Sequence, residues 1–472
     1  YNASNSHSYE PIYQLSIYSF RNRDRVYQSQ SKSYSLIWDN LLTYNFNITE
    51  NHQFEVLLGT SSYKYEGTYI NGTNVDLTFS DLEHVWLDNA VNSEGGGLIN
   101  LGGGPNFVNK RMSYFGRLNY NYKDKYLLNT TFRADGSSNF AEDNRWGYFP
   151  SVSAGWVLSK ENFLSDSSLV DFLKLRASWG QVGNQNVGAF QYLAPVTFRY
   201  TNYIFGNEEG TLTPGAYPSR LANTNLKWET SEQVNIGLDA RFLNNTLNLT
   251  LDVYEKTNKD WIILAPVLST AGADAPFING GDVKNKGVEL ALSYANNIGD
   301  FQYNIGLNGA YNDNEVGNIP TEDGIIHGEI NQLFDNSPEF YRAESGFPLG
   351  YFWGLQTNGV FQTQEDVNAY TFDGTLVQPN ASAGDARYVD QNNDGIINNS
   401  DKVNIGDPNP DLTYGINLAF NYKAFDLSLS ANGVVGNQIV QSYRNQANQF
   451  ANYTTAILDR WTGANTSNST PR

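Results

Sequence analysis

Apolar and polar side chains alternate along a stretch near the C-terminal end of the chain. From Leu412 to Tyr422 every second residue is apolar, and the return stretch to Val434 repeats the pattern after a turn at Lys423-Ala424. Side chains on a strand point to opposite faces in turn, so the pattern predicts a hairpin with one apolar and one polar face. The apolar face must pack against either a protein core or lipid.

The same alternation recurs along the whole chain and predicts about thirteen strands, many of them longer than the usual ~5–6 residues. The predicted strands are 12–20, 34–48, 52–65, 111–122, 126–135, 151–159, 172–181, 228–242, 246–257, 287–296, 301–312, 412–422 and 425–434. The fold class expected from this pattern is all-β.

The connections between these strands alternate between short turns and long loops. The long loops are predicted at 66–110, 136–149, 182–227, 258–285 and 313–411. In transmembrane barrels, short turns face the periplasm, long loops face outward, and the strands alternate apolar-out and polar-in. Aromatic residues at strand ends, such as Tyr122, Tyr126, Tyr422 and Phe425, fit the girdle of such a barrel. A soluble sandwich or propeller also gives alternating faces, so the pattern favours a transmembrane antiparallel β-barrel and leaves the soluble sheet open.

The composition of the chain argues against several kinds of function and site. The 472 residues carry a formal net charge of −19, which argues against nucleic acid as a partner because phosphate binding needs clustered Lys and Arg. Cysteine is absent, which excludes disulfides and thiolate metal sites. No apolar run approaches the ~20 residues of a membrane-spanning helix.

Six motifs resemble one family closely and in the right order. They are YFGRLNYNYKDKYLL at 114–128, RADGSSNF at 133–140, NRWGYFPS at 144–151, LKWETSEQ at 226–233, VKNKGVEL at 283–290 and GDPNP at 406–410. Together they make the chain similar to the SusC-like, TonB-dependent outer-membrane transporters of the RagA/SusC family.

The resemblance implies a 22-stranded barrel in the outer membrane with a plug domain inside it. It also implies active import of glycans, oligosaccharides or other large nutrients such as peptides, driven by TonB, with a SusD-like surface lipoprotein as a lid. About thirteen strands cannot close such a barrel, because strand number and diameter are linked and open edges do not survive in lipid. We therefore expect residues 1–472 to form an incomplete barrel domain that lacks the plug, with the TonB complex contacted through N-terminal regions outside this sequence. The alternative is a soluble or surface-exposed β-rich module that binds carbohydrate or mediates adhesion.

One loop has the spacing of a calcium-binding loop. The stretch DQNNDGIINNSD at 390–401 places oxygen-bearing side chains at positions 1, 3 and 5, glycine at 6 and an acid at 12. The predicted ligands are Asp390, Asn392, Asp394, the Ile396 carbonyl and Asp401, with Asn398 acting through water. Position 12 is Asp instead of the usual Glu, and flanking helices are not evident, so a metal-free turn rich in Asn and Asp is the alternative. Any Ca²⁺ here would staple the loop and play no part in catalysis.

Other candidate sites have ordinary structural explanations. One candidate is a ligand-binding constellation of Arg133, Asp135, Arg145 and Trp146. The alternative interpretation is structural, because inward-facing charges are ordinary on a barrel wall. Loop aromatics that could stack on sugar rings could equally pack the loops together; they are Tyr200, Tyr203, Phe205, Tyr341, Phe352 and Trp353. The chain's four His residues are isolated in sequence, so no triad or zinc site is predicted and the protein is not expected to be an enzyme.

Overall fold

The computed structural model describes residues 1–79, 81–92, 100–106, 108–165, 167–198, 215–265, 267, 269–442, 445 and 448–472. Its main feature is one antiparallel sheet whose path runs through thirteen strands in chain order, with a short strand at Asn100–Pro105 paired beside it. The strands are β1 Asn2–Glu10, β2 Arg25–Thr49, β3 His52–Val75, β4 Asn109–Tyr122, β5 Tyr126–Ser137, β6 Trp146–Val157, β7 Val170–Asn184, β8 Glu229–Phe242, β9 Leu247–Lys259, β10 Val283–Ile298, β11 Phe301–Val316, β12 Leu412–Tyr422 and β13 Phe425–Val435.

Each strand on this path pairs with its neighbours along the path, and β1 and β13 are the two edge strands. Because the strands alternate in direction, the connections of two to four residues all lie at one end of the sheet, together with the β6–β7 connection at 158–169. We call this end the turn end. The long connections lie at the opposite end, which we call the loop end. The predicted segregation of turns and loops is confirmed by this topology.

The register keeps apolar side chains on one face of the sheet across successive strands. Leu418 of β12 lies opposite Ile305 of β11 on one side and Leu429 of β13 on the other. Tyr294 and Leu247 continue the row into β10 and β9. A one-residue slip would move these side chains to the polar face, so the pattern specifies the register.

Two girdles of aromatic rings border this apolar face. The turn-end girdle comprises Tyr44, Phe46, Phe54, His52, Tyr120, Tyr122, Tyr126 and Trp156, whose neighbouring rings are in contact. Tyr294, Tyr303, Phe301 and Phe420 extend it on β10 to β12. The loop-end girdle contains Tyr114 stacked on Trp146 with ring centroids 5.9 Å apart, and Phe132 stacked on Tyr148.

The first predicted strand is wrong. Residues 15–19 form bends between the two arms of a short ladder, Tyr13–Gln14 with Phe20–Arg21. The Ser16 hydroxyl accepts hydrogen bonds from the backbone N–H groups of Tyr18 and Ser19, which closes a turn where a strand would need extended backbone. The edge strand is instead Asn2–Glu10, whose polar sequence shows no alternation.

Strands β2 and β3 extend well beyond their predicted limits toward the loop end. The loop predicted at 66–110 therefore begins after Val75, and part of it, Asn100–Pro105, is itself a strand. The other long connections lie within two to four residues of their predicted limits at most ends. In the connection after β11, short strands lie at Ile325–His327, Tyr341–Glu344, Tyr351–Leu355, Thr357–Val360, Thr371–Phe372, Thr375–Leu376, Ala386–Tyr388 and Lys402–Gly406.

The same connection holds a short helix, Gln364–Ala369. A capping box starts it, because the Thr363 side chain accepts from the Asp366 N–H while the Asp366 carboxylate accepts from the Thr363 N–H. No helix in the described ranges is long and apolar enough to cross a membrane.

Candidate functional site

Polar side chains form a row across seven strands on the face opposite the apolar one. The members occupy consecutive register positions and are Asn45, Glu55, Asn119, Asn129, Ser153, Ser178 and Asn235. We call this set the amide row. It lines much of a concave cavity of about 740 Å³.

Hydrogen bonds between neighbours hold part of the amide row in place. The Asn119 amide donates to the Glu55 carboxylate at 2.8 Å, and Arg117 donates to the same oxygen at 3.0 Å. The Asn129 amide in turn donates to the Asn119 side-chain oxygen. The row's single carboxylate is thus paired with a cation, and its other side chains are neutral amides and hydroxyls.

A charged cluster lies on the same face of β7 to β9. Arg176 donates two hydrogen bonds to the Asp252 carboxylate, each at 2.7 Å, and a third to Asp239 at 3.0 Å. Its side chain passes over Gly237, where a Cβ atom would lie 2.5 Å from the Arg176 Cζ. Glycine at 237 is therefore required for this fork to form. Because it is paired with two carboxylates, Arg176 does not present a free cation to the cavity.

The predicted constellation around the β5–β6 loop is divided by the structure. Arg133 and Asp135 are together on the polar face, with the Arg133 Nε 2.7 Å from the Asp135 carboxylate and its Nη2 donating to the Ser113 hydroxyl. Arg145 contributes its backbone carbonyl, which accepts from the Trp228 indole at 2.9 Å. Trp146 lies on the apolar face in the loop-end girdle. Two of the four residues thus share a site, and the other two do not join it.

The loop aromatics that fall within the described residues pack against their own loop. Tyr341 and Phe352 both contact Phe340. Trp353 lies between two cations, with the Arg342 guanidinium 3.4 Å and the Lys402 ammonium 4.3 Å from its ring centroid. Tyr200, Tyr203 and Phe205 lie outside the described residues. For the three that can be placed, packing is the role their contacts show.

The predicted calcium-binding loop folds around its own backbone N–H groups. Asp390 accepts from Asp394 N and Gly395 N, and the buried Asp401 accepts from Gln391 N and Asn398 N. Asn392 donates to the Asp394 carboxylate at 2.8 Å. Within the part of the chain that the structure describes, no three or more His, Cys, Asp or Glu side chains are grouped to hold a metal ion. The ligand role of Asp390, Asn392, Asp394, Ile396 and Asp401 therefore stays a prediction.

A second titratable cluster lies in the same connection. His327 contacts Glu339 at 3.0 Å and Asp323 at 3.1 Å, and Arg342 donates twice to Glu339 at 3.0 Å. The hydrogen bond that Glu339 accepts raises the pKa of His327 above its ordinary value, against the opposing effect of burial. Burial would raise the pKa of Glu339, but Arg342 and His327 hold it below its ordinary value.

The amide row and the Arg176 cluster were not singled out by the sequence patterns. One signal was available: alternating Asn residues in β2 and β4 predict an amide-rich polar face. The pairing of Arg176 with Asp252 had no such signal, because it spans three strands separated by long stretches of chain.

The chain matches the family described as TonB dependent receptor-like, beta-barrel, over residues 1–434. TonB-dependent receptor P3 of Formosa agariphila is 30% identical over 443 residues, which are 92% of this chain and 42% of that protein. TonB-dependent receptor SusC of Bacteroides thetaiotaomicron is 32% identical over 350 residues, which are 72% of this chain and 33% of SusC. The chain thus spans less than half the length of these relatives.

Among solved structures, the RagAB peptide importer in its open-open state superposes with a TM-score of 0.77 and 22% identity. The match covers 100% of this chain and 48% of the RagAB chain, and at that identity it shows the fold alone. The family answers the question of what the apolar face packs against, because outer-membrane barrels present that face to lipid. This chain belongs to the TonB-dependent receptor β-barrel family and lies in the outer membrane, as part of a SusC-like barrel wall.

Proposed function

We propose that the protein imports oligosaccharides across the outer membrane through the lumen of its barrel, with energy supplied by TonB. The observation that carries the proposal is the pair of faces on one sheet. The apolar face has girdles at both ends and fits lipid, while the opposite face presents the amide row and the ion-paired Arg176 cluster. Such a wall borders a polar passage. The family and the named relatives are receptors, so we propose no enzymatic activity.

The orientation follows from the connections. Long loops face outward in outer-membrane barrels and short turns face the periplasm. The loop end of this sheet is then extracellular, and the turn at Lys423-Ala424 is periplasmic. Cargo would enter past the long loops at 76–108, 138–145, 185–228, 260–282 and 317–411.

The composition of the amide row supports a neutral, hydroxyl-rich cargo. Side-chain amides both donate and accept hydrogen bonds, as sugar hydroxyls do. The charged groups in and beside the row balance in number: Arg117 pairs with Glu55, Arg176 with Asp252 and Asp239, and Lys174 lies opposite Asp239. They leave no strong field for an ionic cargo. The amide row could also contact a plug domain inside the barrel.

Peptides are the second candidate cargo, favoured by the fold shared with the RagAB peptide importer.

Uptake by a deletion strain tests the cargo. We expect a strain that lacks the gene to lose growth on particular oligosaccharides and to keep growth on peptide mixtures. Restoring the gene with Asn119→Ala and Asn129→Ala should leave uptake several-fold below wild type. A Ser428→Ala variant, changed on the same face but far from the row, should restore it fully. Growth lost only on peptides would contradict the oligosaccharide assignment and support the peptide alternative.

Two partners are proposed with this function. A SusD-like surface lipoprotein would cover the loop end, and TonB would act through regions that the barrel wall itself does not supply. Purification of the full-length protein from outer membranes in a mild detergent should recover the lipoprotein in stoichiometric amount. Recovery of the barrel without any such lipoprotein would contradict the first partner.

The 390–401 loop is proposed to bind Ca²⁺ as a structural staple for the connection that contains it. The support is the oxygen-rich spacing together with the left-handed backbone at Asn393 and Gly395, with φ of 57° and 82°, which the tight turn needs. Titration calorimetry on the full-length protein should detect a Ca²⁺ site that is lost in an Asp390→Ala, Asp394→Ala variant. An Asp366→Asn variant, outside the loop, should keep it. Equal binding by wild type and the double variant would remove the assignment.

A further inference from the structure

A shallow groove crosses the apolar face of four adjoining strands, β2 to β5. Its volume is about 530 Å³, and the residues of that face that line it include Leu42, Leu58, Thr60, Tyr114, Gly116 and Phe132. Gly116 forms its floor, with Leu58 opposite on β3 and Phe132 opposite on β5. A Cβ at Gly116 would meet only the Leu58 side chain at 3.4 Å and the Leu57 carbonyl at 3.8 Å, so the backbone does not require glycine for space. The missing side chain leaves a channel that opens toward lipid.

Two lysines lie in line with this groove, nearer the loop end. Lys64 of β3 is directly opposite Lys110 of β4, and both point to the same face as the groove residues. Lys64 follows Thr60 by four residues and Lys110 precedes Tyr114 by four, a distance of about 13 Å along the strands. The pair therefore lies just beyond the loop-end girdle, at the level where a membrane surface begins.

Like charges placed directly opposite each other on neighbouring strands destabilise a sheet. One carboxylate partly offsets the pair, since Glu66 lies 2.6 Å from the Lys64 ammonium. Lys110 forms no ion pair with any side chain in the described ranges, and neither does the exposed Lys32, which lies on the same face of β2. On this face of β2 to β4, the one carboxylate, Glu66, thus contacts Lys64 and leaves the other two ammonium groups unpaired within the described ranges.

Lysines elsewhere on the same face are paired differently. Lys284 lies 2.8 Å from Glu255, and Lys259 lies 3.1 Å from Glu232. The surplus of positive charge is thus local to the strands that carry the groove. An anion that carries an acyl chain would match both the positive charge of the lysines and the apolar groove beside them.

We propose that the groove and the Lys64–Lys110 pair form one binding site for the phosphorylated glycolipid of the outer leaflet, lipid A. Its phosphate would lie between the two ammonium groups and accept charge-assisted hydrogen bonds from both, which are stronger than neutral ones. An acyl chain would run toward the periplasm over Gly116, between Leu58 and Phe132. The site rests on the proposed orientation of the barrel, which places the loop end outside, and is independent of the cargo.

Native mass spectrometry of the full-length protein in detergent tests this site. The probes are lipid A and the same lipid with its phosphates removed. We expect wild type to prefer phosphorylated lipid A, and a Lys64→Gln, Lys110→Gln variant to bind it at least about tenfold more weakly, the effect of losing one charge-assisted contact. Gly116→Leu, which fills the channel, should weaken binding of both probes.

A Lys259→Gln, Lys284→Gln variant is the matched control, because it removes the same charge from the same face away from the groove. Equal losses in the two lysine variants would overturn the site, as would equal binding of the two probes by wild type. Binding of phosphatidylglycerol as tight as that of lipid A would overturn the assignment to the glycolipid. A heat-modifiable band on gels confirms that each variant is folded, and Gly116→Leu tests the groove if the lysine variant fails. The measurement needs neither cargo nor TonB, so a wrong transport assignment would leave its result unchanged.

Discussion

Two regions of this molecule place apolar side chains in opposite environments. On the sheet, Trp38 is 72% exposed, Leu42 65% and Leu429 51%. In the connection at 317–411, Tyr351 is 2% exposed and Phe361 1%. One chain therefore contains a sheet that exposes its apolar side chains and a long connection that buries its own in a small core, as a water-soluble domain does.

The difference shows which solvent each region is built for. The connection gains its stability as a soluble domain does, by removing apolar surface from water. Between the girdles the apolar side chains of the wall are mostly exposed, and its backbone hydrogen bonds are made mainly between neighbouring strands. Exposure of its apolar face is favourable only when lipid covers that face. The wall can therefore fold in a membrane although only 40% of the chain's residues are apolar. Substitutions of apolar residues should thus have different effects in the two regions.

The largest effect is expected from a truncation in the loop core. Phe361 is buried and packs near the Tyr370 ring. Its backbone N–H donates to the Asp385 carbonyl, and its carbonyl accepts from the Gly384 N–H. Phe361→Ala should destabilise the connection by about 3–5 kcal/mol, because a cavity remains in a region that cannot collapse onto it. Hydrogen exchange of the amides at 357–388 measures the change as lost protection.

The matched control is Leu427→Ala on the apolar face of β13. Lipid can fill the vacated space there, so only the transfer free energy of the removed carbons is lost, about 2 kcal/mol, with no cavity contribution. Protection of the 412–435 hairpin should fall less than protection of 357–388 does in the Phe361 variant. Equal losses would mean that the wall packs against protein instead of lipid.

A charge on the wall gives the next effect. Leu418→Arg, near the middle of β12 between Ile305 and Leu429, should cost about 2–4 kcal/mol if the residue lies at the bilayer midplane. Asn417→Arg, one residue away on the polar face, should cost much less because it meets water in the lumen. Urea titration of the full-length protein in lipid vesicles measures both values. Similar costs for the two variants would contradict the assignment of faces.

The comparison also explains which parts of the fold were predictable. The wall between the girdles was predicted well because lipid on one side and water on the other impose strict alternation, as at 412–422. Beyond the girdles both faces meet water, so that constraint disappears. The extensions of β2 and β3 past Tyr34 and Tyr65, and the polar strand Asn2–Glu10, carry no alternation and were missed for this reason.

The site was less predictable than the fold. Arg133 and Asp135 are two residues apart on one strand, so their sequence spacing alone places them on the same face. The separation of Trp146 from Arg133 depends on where β6 begins, and the predicted strand began at 151 instead of Trp146. The Lys64–Lys110 pair depends on the register between β3 and β4 across a long loop, which no local pattern specifies.

The smallest effect is expected from the His327 cluster in the connection, which tests whether that region responds to pH independently of the wall. Glu339 and Asp323 raise the pKa of His327, so its charged form is favoured in the folded loop. Its contribution to stability is fully present below the unfolded pKa of about 6.5 and is lost as the pH rises through the raised folded value. Because more than half of the side chain is exposed, the change should be modest, with protection at 321–346 falling over that window. His327→Gln should remove the pH dependence there while the 412–435 hairpin stays unchanged; a variant that keeps the wild-type profile would show that another group titrates.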